Sequence, residues 1–381
     1  MGRTATVVLV TAAGEVLGAL PPIELELPWW QESADLVAAV KAVHGIDVVV
    51  LRLLGAANRQ PPGGAVTYLA QTDQRPEQLK PAVIDESPQP KRLDYAKVNG
   101  PHRTLAWARG HLGPFRATQM RTWNLSMIWR LESTEETFWL KQVPPFFAHE
   151  PAVIRWAAGH GARVPRLVAA DAGRMLLRDI PGDDLYGAGL EVRAAIAREH
   201  HELQLAARSA LGRLAAMGIP DRRGERLVAR LQLHNPVVRR VPGLLSQVHE
   251  CGLPDTLVHG DLHPGNARGD IDHPTVLDWG DSFLGHPGFD ILRLTEGLGE
   301  SEAGRLLGQW ADRWRAAYPQ SDPLRAVELL RPIAALLAAA AYAGFVAEIE
   351  PSEHPYHADD VPYWLEQASR RLEEIAPEPR P

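Results

Sequence analysis

The chain has 381 residues, 45% hydrophobic and 23% charged, enough apolar sequence for two or three compact soluble units. Its net charge of −7, with no basic block, argues against a nucleic-acid partner. A single cysteine, Cys251, excludes an intramolecular disulfide and fits a reducing, cytoplasmic compartment.

Met1-Gly-Arg-Thr leads straight into a strand at Val7–Val10, with no secretory signal pattern between. Apolar spacing then predicts a helix over Glu32–Val43, closed by Gly45 as a C-cap. Strands follow at Val48–Leu54 and Val66–Ala70, a polar, Pro-rich linker at 71–91, and a short helix at Leu105–His111. Gln119–Glu132 reads as strand–turn–strand with Asn124-Leu-Ser126 at the turn, and Phe138–Lys141 as a further strand. Met175–Asp179 is another strand, ended by Ile180-Pro-Gly182. The remainder is helical: Glu191–Met217, stopped by Gly218, then Gly224–Leu233, Ser301–Tyr318, Pro323–Ile349 with a kink at Pro332, and Tyr363–Ile375. Pro332–Ala347 carries no charge but is shorter than 18 residues and is bracketed by Arg331 and Glu348, which predicts a buried helix and no membrane span.

The motif richest in chemistry is His259-Gly-Asp-Leu-His-Pro-Gly-Asn266, followed by Asp278-Trp-Gly-Asp281. An aspartate, an asparagine five residues on and a second aspartate after an apolar run are the groups that phosphoryl transfer from ATP requires: one to orient an attacking hydroxyl, two hard oxygen ligands for Mg²⁺. Asp261 is the candidate catalytic base, and Asn266 and Asp278 the candidate metal ligands. The Gly269–Pro274 turn predicts a hairpin that returns Asp278 beside Asn266. Lysine usage supports the same chemistry. Of 40 basic residues only five are Lys, and Lys141 is the only one after residue 97. It ends an apolar strand nine residues before Glu150, which opens a helix; a kinase needs such a compact ammonium on the phosphates, oriented by a helix glutamate.

From about Gln119 onward the chain resembles the aminoglycoside phosphotransferase family of small-molecule kinases, on Lys141, Glu150, the His259–Asn266 loop, Asp278 and the Phe289-Asp290 pair. The resemblance implies an α+β, two-lobed protein-kinase-like fold with a β-rich N-lobe over 96–182 and a helical C-lobe over 183–381. It implies ATP or GTP as donor, Mg²⁺, and a small hydroxyl acceptor such as an aminoglycoside, amino sugar or amino alcohol. It casts Ser126 as a phosphate contact in place of the absent Gly-rich loop, and His259 and Asp290 as supports of the catalytic loop. Only about ten residues separate Asp278 from the next helical run, too few for a peptide-docking activation loop. Residues 1–95 resemble a degenerate Nudix domain, an α/β unit in which Ala38, Ala39, Ala42 and Val43 stand where metal-binding carboxylates belong, so no Nudix hydrolysis is expected. Acids at Glu296, Glu300, Glu302, Glu350, Glu353, Asp359 and Asp360 predict a face for a polyamine acceptor, with Tyr363 and Trp364 available to stack on a sugar. Two functional classes remain: an active small-molecule kinase, and a catalytically silent nucleotide- or ligand-binding protein on the same fold. Retention of Lys141, Asp261, Asn266 and Asp278 favours the first.

Overall fold

The computed structural model describes residues 2–375 other than 86 and 172. These form two compact units, each assembled from separated stretches of chain: Met1–Ala148, Val168–Asp179 and Tyr342–Asp359 in the first, and His149–Leu167, Ile180–Ala341 and Asp360–Pro381 in the second.

The first unit holds two sheets. β1 (Arg3–Val10), β2 (Val16–Ala19), β3 (Ile23–Leu25), β4 (Val49–Ala56) and β5 (Gly64–Gln71) make the front sheet, ordered β2-β1-β5-β4 with β3 pairing β1. The α1 helix (Ala34–His44) packs Leu36 and Val40 into a core with Leu9, Trp30, Val50 and Tyr68. It stops at Gly45, whose φ of 72° takes the left-handed C-cap. Of the four positions that lack carboxylates, Ala38, Ala42 and Val43 lie on the exposed side of α1 and Ala39 is partly buried.

After α2 (Gly100–Leu112), the second sheet comprises β6 (Arg116–Trp123), β7 (Ser126–Glu132), β8 (Thr137–Gln142), β9 (Leu167–Asp171) and β10 (Arg174–Arg178), ordered β6-β7-β8-β10-β9. Lys141 lies on β8, in register with Ile128 of β7 and Met175 of β10. The two sheets are joined by a side chain that imitates backbone. Buried Gln119 of β6 donates Nε2 to the Val50 carbonyl at 2.7 Å and accepts the Val50 N–H at 2.9 Å, so the open edge of β4 is satisfied without a strand.

Glu350, Glu353, Tyr356 and His357, although late in the chain, are buried in this first unit. Glu350 accepts from Arg92 Nε at 2.9 Å and lies 3.8 Å from Arg52 Nε. Glu353 accepts the Leu53 N–H at 3.3 Å, and its carbonyl receives Asn124 Nδ2 at 3.3 Å. Tyr356 meets Trp30 and Trp123 edge-on, and His357 Nε2 donates to Asn124 Oδ1 at 3.2 Å. The acidic run read from the sequence is therefore not one face. Glu350, Glu353 and Asp359 belong to the first unit, with Glu350 and Glu353 buried and Asp359 paired with Arg59, while Glu296, Glu300, Glu302 and Asp360 belong to the second.

The second unit is mostly helical: α3 (Glu150–Ala158), α4 (Leu190–Ala207), α5 (Leu211–Ala216), α6 (Glu225–Arg230), α7 (Val241–Glu250), α8 (Gly288–Thr295), α9 (Glu300–Ala317), α10 (Pro323–Glu348, which runs on into the first unit) and α11 (Asp360–Glu373). The single helix predicted over 191–217 is broken at 208–210, where the Ser209 hydroxyl takes the Ala206 carbonyl and Gly212 follows. α10 runs unbroken through Pro332, which costs it one backbone bond. By length and composition alone α10 would suffice to cross a membrane, yet Leu330, Ile333 and Leu336 are fully buried inside the protein. Five short strands complete the unit: β11 (Asp183–Asp184) and β14 (Pro274–Val276) flank β13 (Ala267–Gly269), and β12 (Thr256–Val258) pairs antiparallel with β15 (Phe283–Gly285).

Burial, with Glu350 beside it, pushes the Glu353 carboxyl up to about 8, against the partial help of Arg52, Arg92 and the Leu53 amide. The folded chain thus keeps a proton that the unfolded chain loses near pH 4–5, and stability falls as pH rises through that window to about 8. Thermal unfolding at pH 5 and pH 8 is expected to show a loss on the order of a few kcal/mol in the wild type. Glu353→Gln, a neutral isostere, should flatten that dependence and be the more stable protein at pH 8.

Candidate active site

The site grows out of two strand ends. β12 delivers His259, Gly260 and Asp261, while β13 and β14 return the chain to Asp278 through the predicted hairpin, in register Ala267↔Val276. The Leu277 N–H donates to the Asn266 carbonyl at 2.8 Å, which pairs Asn266 with the residue immediately before Asp278.

The loop is fixed by one carboxylate. Asp290 of α8, 2% exposed, receives the His259 and Gly260 amides at 2.9 and 3.0 Å, and His200 Nε2 and Gln204 Nε2 of α4 at 2.7 and 3.1 Å. Burial alone would raise its pKa, but the neighbouring His200 and the amide donors outweigh it and keep the group ionised. His259 is buried, which pushes its ring toward the neutral form. Its Nδ1 accepts the Asp261 N–H at 3.3 Å, leaving Nε2 to donate to the Leu277 carbonyl at 2.8 Å, so the ring clips the two motifs together. Gly260 has φ +88°, and a Cβ there would come within 2.3 Å of the Asp281 carbonyl oxygen. Only glycine lets the loop pass so close to the turn after Asp278.

Asp261 is held by both oxygens. Oδ1 accepts Arg293 Nε at 2.7 Å, and Oδ2 accepts Asn266 Nδ2 at 3.0 Å with His263 Nε2 3.4 Å away. His263 Nδ1 accepts the Gly265 N–H at 3.0 Å, so the proton sits on Nε2, facing the carboxylate. Burial would raise the pKa of Asp261, yet His263 and Arg293 together hold it well below the usual carboxylate range. Such a group is a poor proton sink and a fixed hydrogen-bond acceptor.

Asn266 spends its amide nitrogen on the Asp261 carbonyl (2.9 Å) and carboxylate, and its amide oxygen is the atom that suits a hard cation. Asp278 has φ 58° and ψ 62°, one of two non-glycine residues with positive φ among those described. A side chain held in the left-handed region is strained and persists only where its surroundings over-determine it. Here those surroundings include Trp279, fully buried, whose N–H donates to Glu150 Oε1 at 3.2 Å and whose ring lies 4.6 Å from that of His259. Glu150, the first residue of α3 and 1% exposed, is thus tied to the residue after Asp278.

Asp261, Asn266, Asp278, Glu150, His259 and Asp290 therefore converge in the second unit. Lys141 and Ser126 belong to the first, on β8 and β7. Ser126 is 7% exposed and its hydroxyl accepts the Trp123 indole N–H at 3.1 Å. Two residues escaped the sequence reading. Arg293 looks there like any charged position on an amphipathic helix. Tyr186 is an exposed aromatic whose ring occupies the space a Cβ on Gly265 would need, beside the His263 ring. Among the described residues no three His, Cys, Asp or Glu side chains gather to hold a metal.

A family model described as "Phosphotransferase enzyme family" matches residues 122–324, more than half of the chain. No curated protein matches. Among solved structures, the choline kinase LicA from Streptococcus pneumoniae is 13% identical, with 72% of this chain and 99% of that one covered and a TM-score of 0.55. An ethanolamine kinase of Plasmodium vivax is 9% identical, with 76% and 89% covered and a TM-score of 0.54. A GDP complex of a mutant aminoglycoside 2′-phosphotransferase-IIIa is 13% identical, with 72% and 96% covered and a TM-score of 0.50. At these identities the likeness is one of fold: an α+β kinase-like architecture with sheet-rich and helical parts. The front sheet precedes the residues that the family model matches.

Removing the Asp290 carboxylate leaves two amides and two side-chain donors without their acceptor. Asp290→Ala should lose about 3–5 kcal/mol of stability by urea unfolding, the range for stripping one partner from a buried charged network. A loss under about 1 kcal/mol, the worth of one ordinary hydrogen bond, would show that the loop is held by something else.

Proposed function

The chain belongs to the phosphotransferase enzyme family and is a small-molecule kinase, and from that premise we propose that it moves the γ-phosphoryl group of ATP or GTP to a hydroxyl of an aminoglycoside, amino sugar or amino alcohol. One observation carries the reading: Asp261, Asn266 and the strained Asp278 are locked into a single hydrogen-bonded loop whose backbone hangs from Asp290. The similar structures agree with the acceptor class, since they are a choline kinase, an ethanolamine kinase and an aminoglycoside phosphotransferase bound to GDP.

In this reading Asp261 accepts a hydrogen bond from the acceptor hydroxyl and aligns its oxygen for in-line attack. Its depressed basicity suits a loose transition state, in which the proton leaves late. Asn266 and Asp278 supply the two hard oxygens for Mg²⁺, which when bound neutralises charge on the phosphates. Lys141 provides the ammonium for the phosphates and Glu150 orients the nucleotide-binding side of the site. Ser126 accepts the Trp123 indole N–H with its oxygen, which leaves the hydroxyl hydrogen to donate to a phosphate. His259 and Asp290 act on the loop alone. The front sheet stabilises the sheet that carries Lys141 and performs no hydrolysis of its own.

An ADP- or GDP-release screen over aminoglycosides, amino sugars, choline and ethanolamine tests the proposal, and no turnover with any hydroxyl compound overturns it. Asp261→Ala is expected to cut the rate at least 100-fold while nucleotide affinity, followed by calorimetry, stays within about twofold. Asp278→Ala is expected to behave in the opposite way at the binding step. Affinity for the Mg²⁺–nucleotide complex should fall by about tenfold or more while metal-free nucleotide binds as before.

A further inference from the structure

The α8 helix grips the catalytic loop twice, and only the first grip is explained by loop support. Asp290 takes the loop's backbone amides. One turn later on the same face, Arg293 takes the side chain of Asp261 itself. The guanidinium is forked: Nε donates to Asp261 Oδ1 at 2.7 Å, and Nη1 donates to the Glu296 carboxylate just past the end of the helix. That end is clamped in turn. Arg193 of α4 donates Nη1 to the carbonyls of Leu294 and Glu296 at 2.6 and 2.8 Å. A continuous chain of contacts thus runs from Arg193 through Glu296 and Arg293 to Asp261 Oδ1, while Asn266 and His263 occupy Oδ2. With one anchor on each oxygen, the plane of the carboxylate is fixed.

Resting on the reading of Asp261 above, we propose that Arg293 is a positioning residue for phosphoryl transfer: it sets the orientation of the Asp261 carboxylate, with Glu296 as its counter-anchor, and so determines where the acceptor hydroxyl is held. The geometry separates this role from simple charge balance. Lysine would keep the charge, but its single ammonium lacks the planar fork that spans Asp261 and Glu296 together. Both side chains are about one-third exposed, so the pair borders solvent, where an acceptor arrives. A packing role for the whole helix falls instead to Asp290, which is almost fully enclosed.

The test combines two measurements on the full chain. The first is a double-mutant cycle of Arg293→Gln and Asp261→Asn in urea unfolding, which needs no activity. The expected result is a double variant that loses less than the sum of the single losses, and additive losses would overturn the contact. The second is steady-state kinetics of Arg293→Gln, Arg293→Lys and Glu296→Gln with the best acceptor found among choline, ethanolamine and the aminoglycosides. Arg293→Gln should lower kcat by about 10- to 100-fold, as expected for a misplaced reacting group, with KM for the nucleotide unchanged. Arg293→Lys should recover little of that loss, and Glu296→Gln should show a smaller loss of the same kind. Wild-type kcat in Arg293→Gln, or full rescue by Lys, overturns the positioning role. If the wild type transfers phosphate to none of these acceptors while the cycle is non-additive, it is the functional reading that fails, and with it the catalytic role of Arg293, although the ion pair stands.

Discussion

Everything at the site depends on one ionised carboxylate kept inside the protein. A buried charge survives only if its donors make up for lost water, and Asp290 has four: two loop amides, an imidazole and a side-chain amide. Because two of these are consecutive backbone N–H groups, the loop leaves β12 in a single direction. Gly260 then turns where no side chain fits, His259 reaches across to Leu277, and Asp261 emerges facing Asn266. The strain stored at Asp278 is stabilised by the same assembly, since Trp279 packs on His259 and is tied through its amide to Glu150.

Much of this was legible in the sequence because the relevant contacts are local. The interval from Asp261 to Asn266, and the short hairpin to Asp278, bring the candidate ligands together through chain connectivity alone. Gly45 ended its helix as expected because the left-handed C-cap is a local requirement. What stayed hidden is long-range. Arg293 is one arginine among many until the fold puts it against a residue 32 positions earlier. The α7 helix, absent from the elements read in the sequence, carries Pro242 in its first turn, where proline is at home. The break at Ser209 was missed because a hydroxyl's choice of the carbonyl behind it leaves no mark on hydrophobic spacing.

Glu350-Pro-Ser-Glu-His-Pro-Tyr-His357 is the largest reversal. In sequence it is a charged, proline-interrupted stretch of the kind that belongs on a surface. In the structure Glu350, Glu353, Tyr356 and His357 are each under 7% exposed. The difference lies in partners that sequence windows never see together: Arg52, Leu53, Arg92 and Asn124, more than two hundred residues upstream. The same contacts remove Glu350 and Glu353 from any acceptor-binding role.

That segment also constrains how the protein comes into being. The front core includes Tyr356, so the first unit lacks part of its interior until the ribosome has passed residue 357, nearly three hundred residues after β5. N-terminal units usually fold first, while synthesis continues. Here Trp30 and Trp123 lack their ring partner Tyr356 until all of the helical unit but α11 has been translated. A premature stop before residue 350 would therefore harm residues made long before it, among them Leu53 and Asn124.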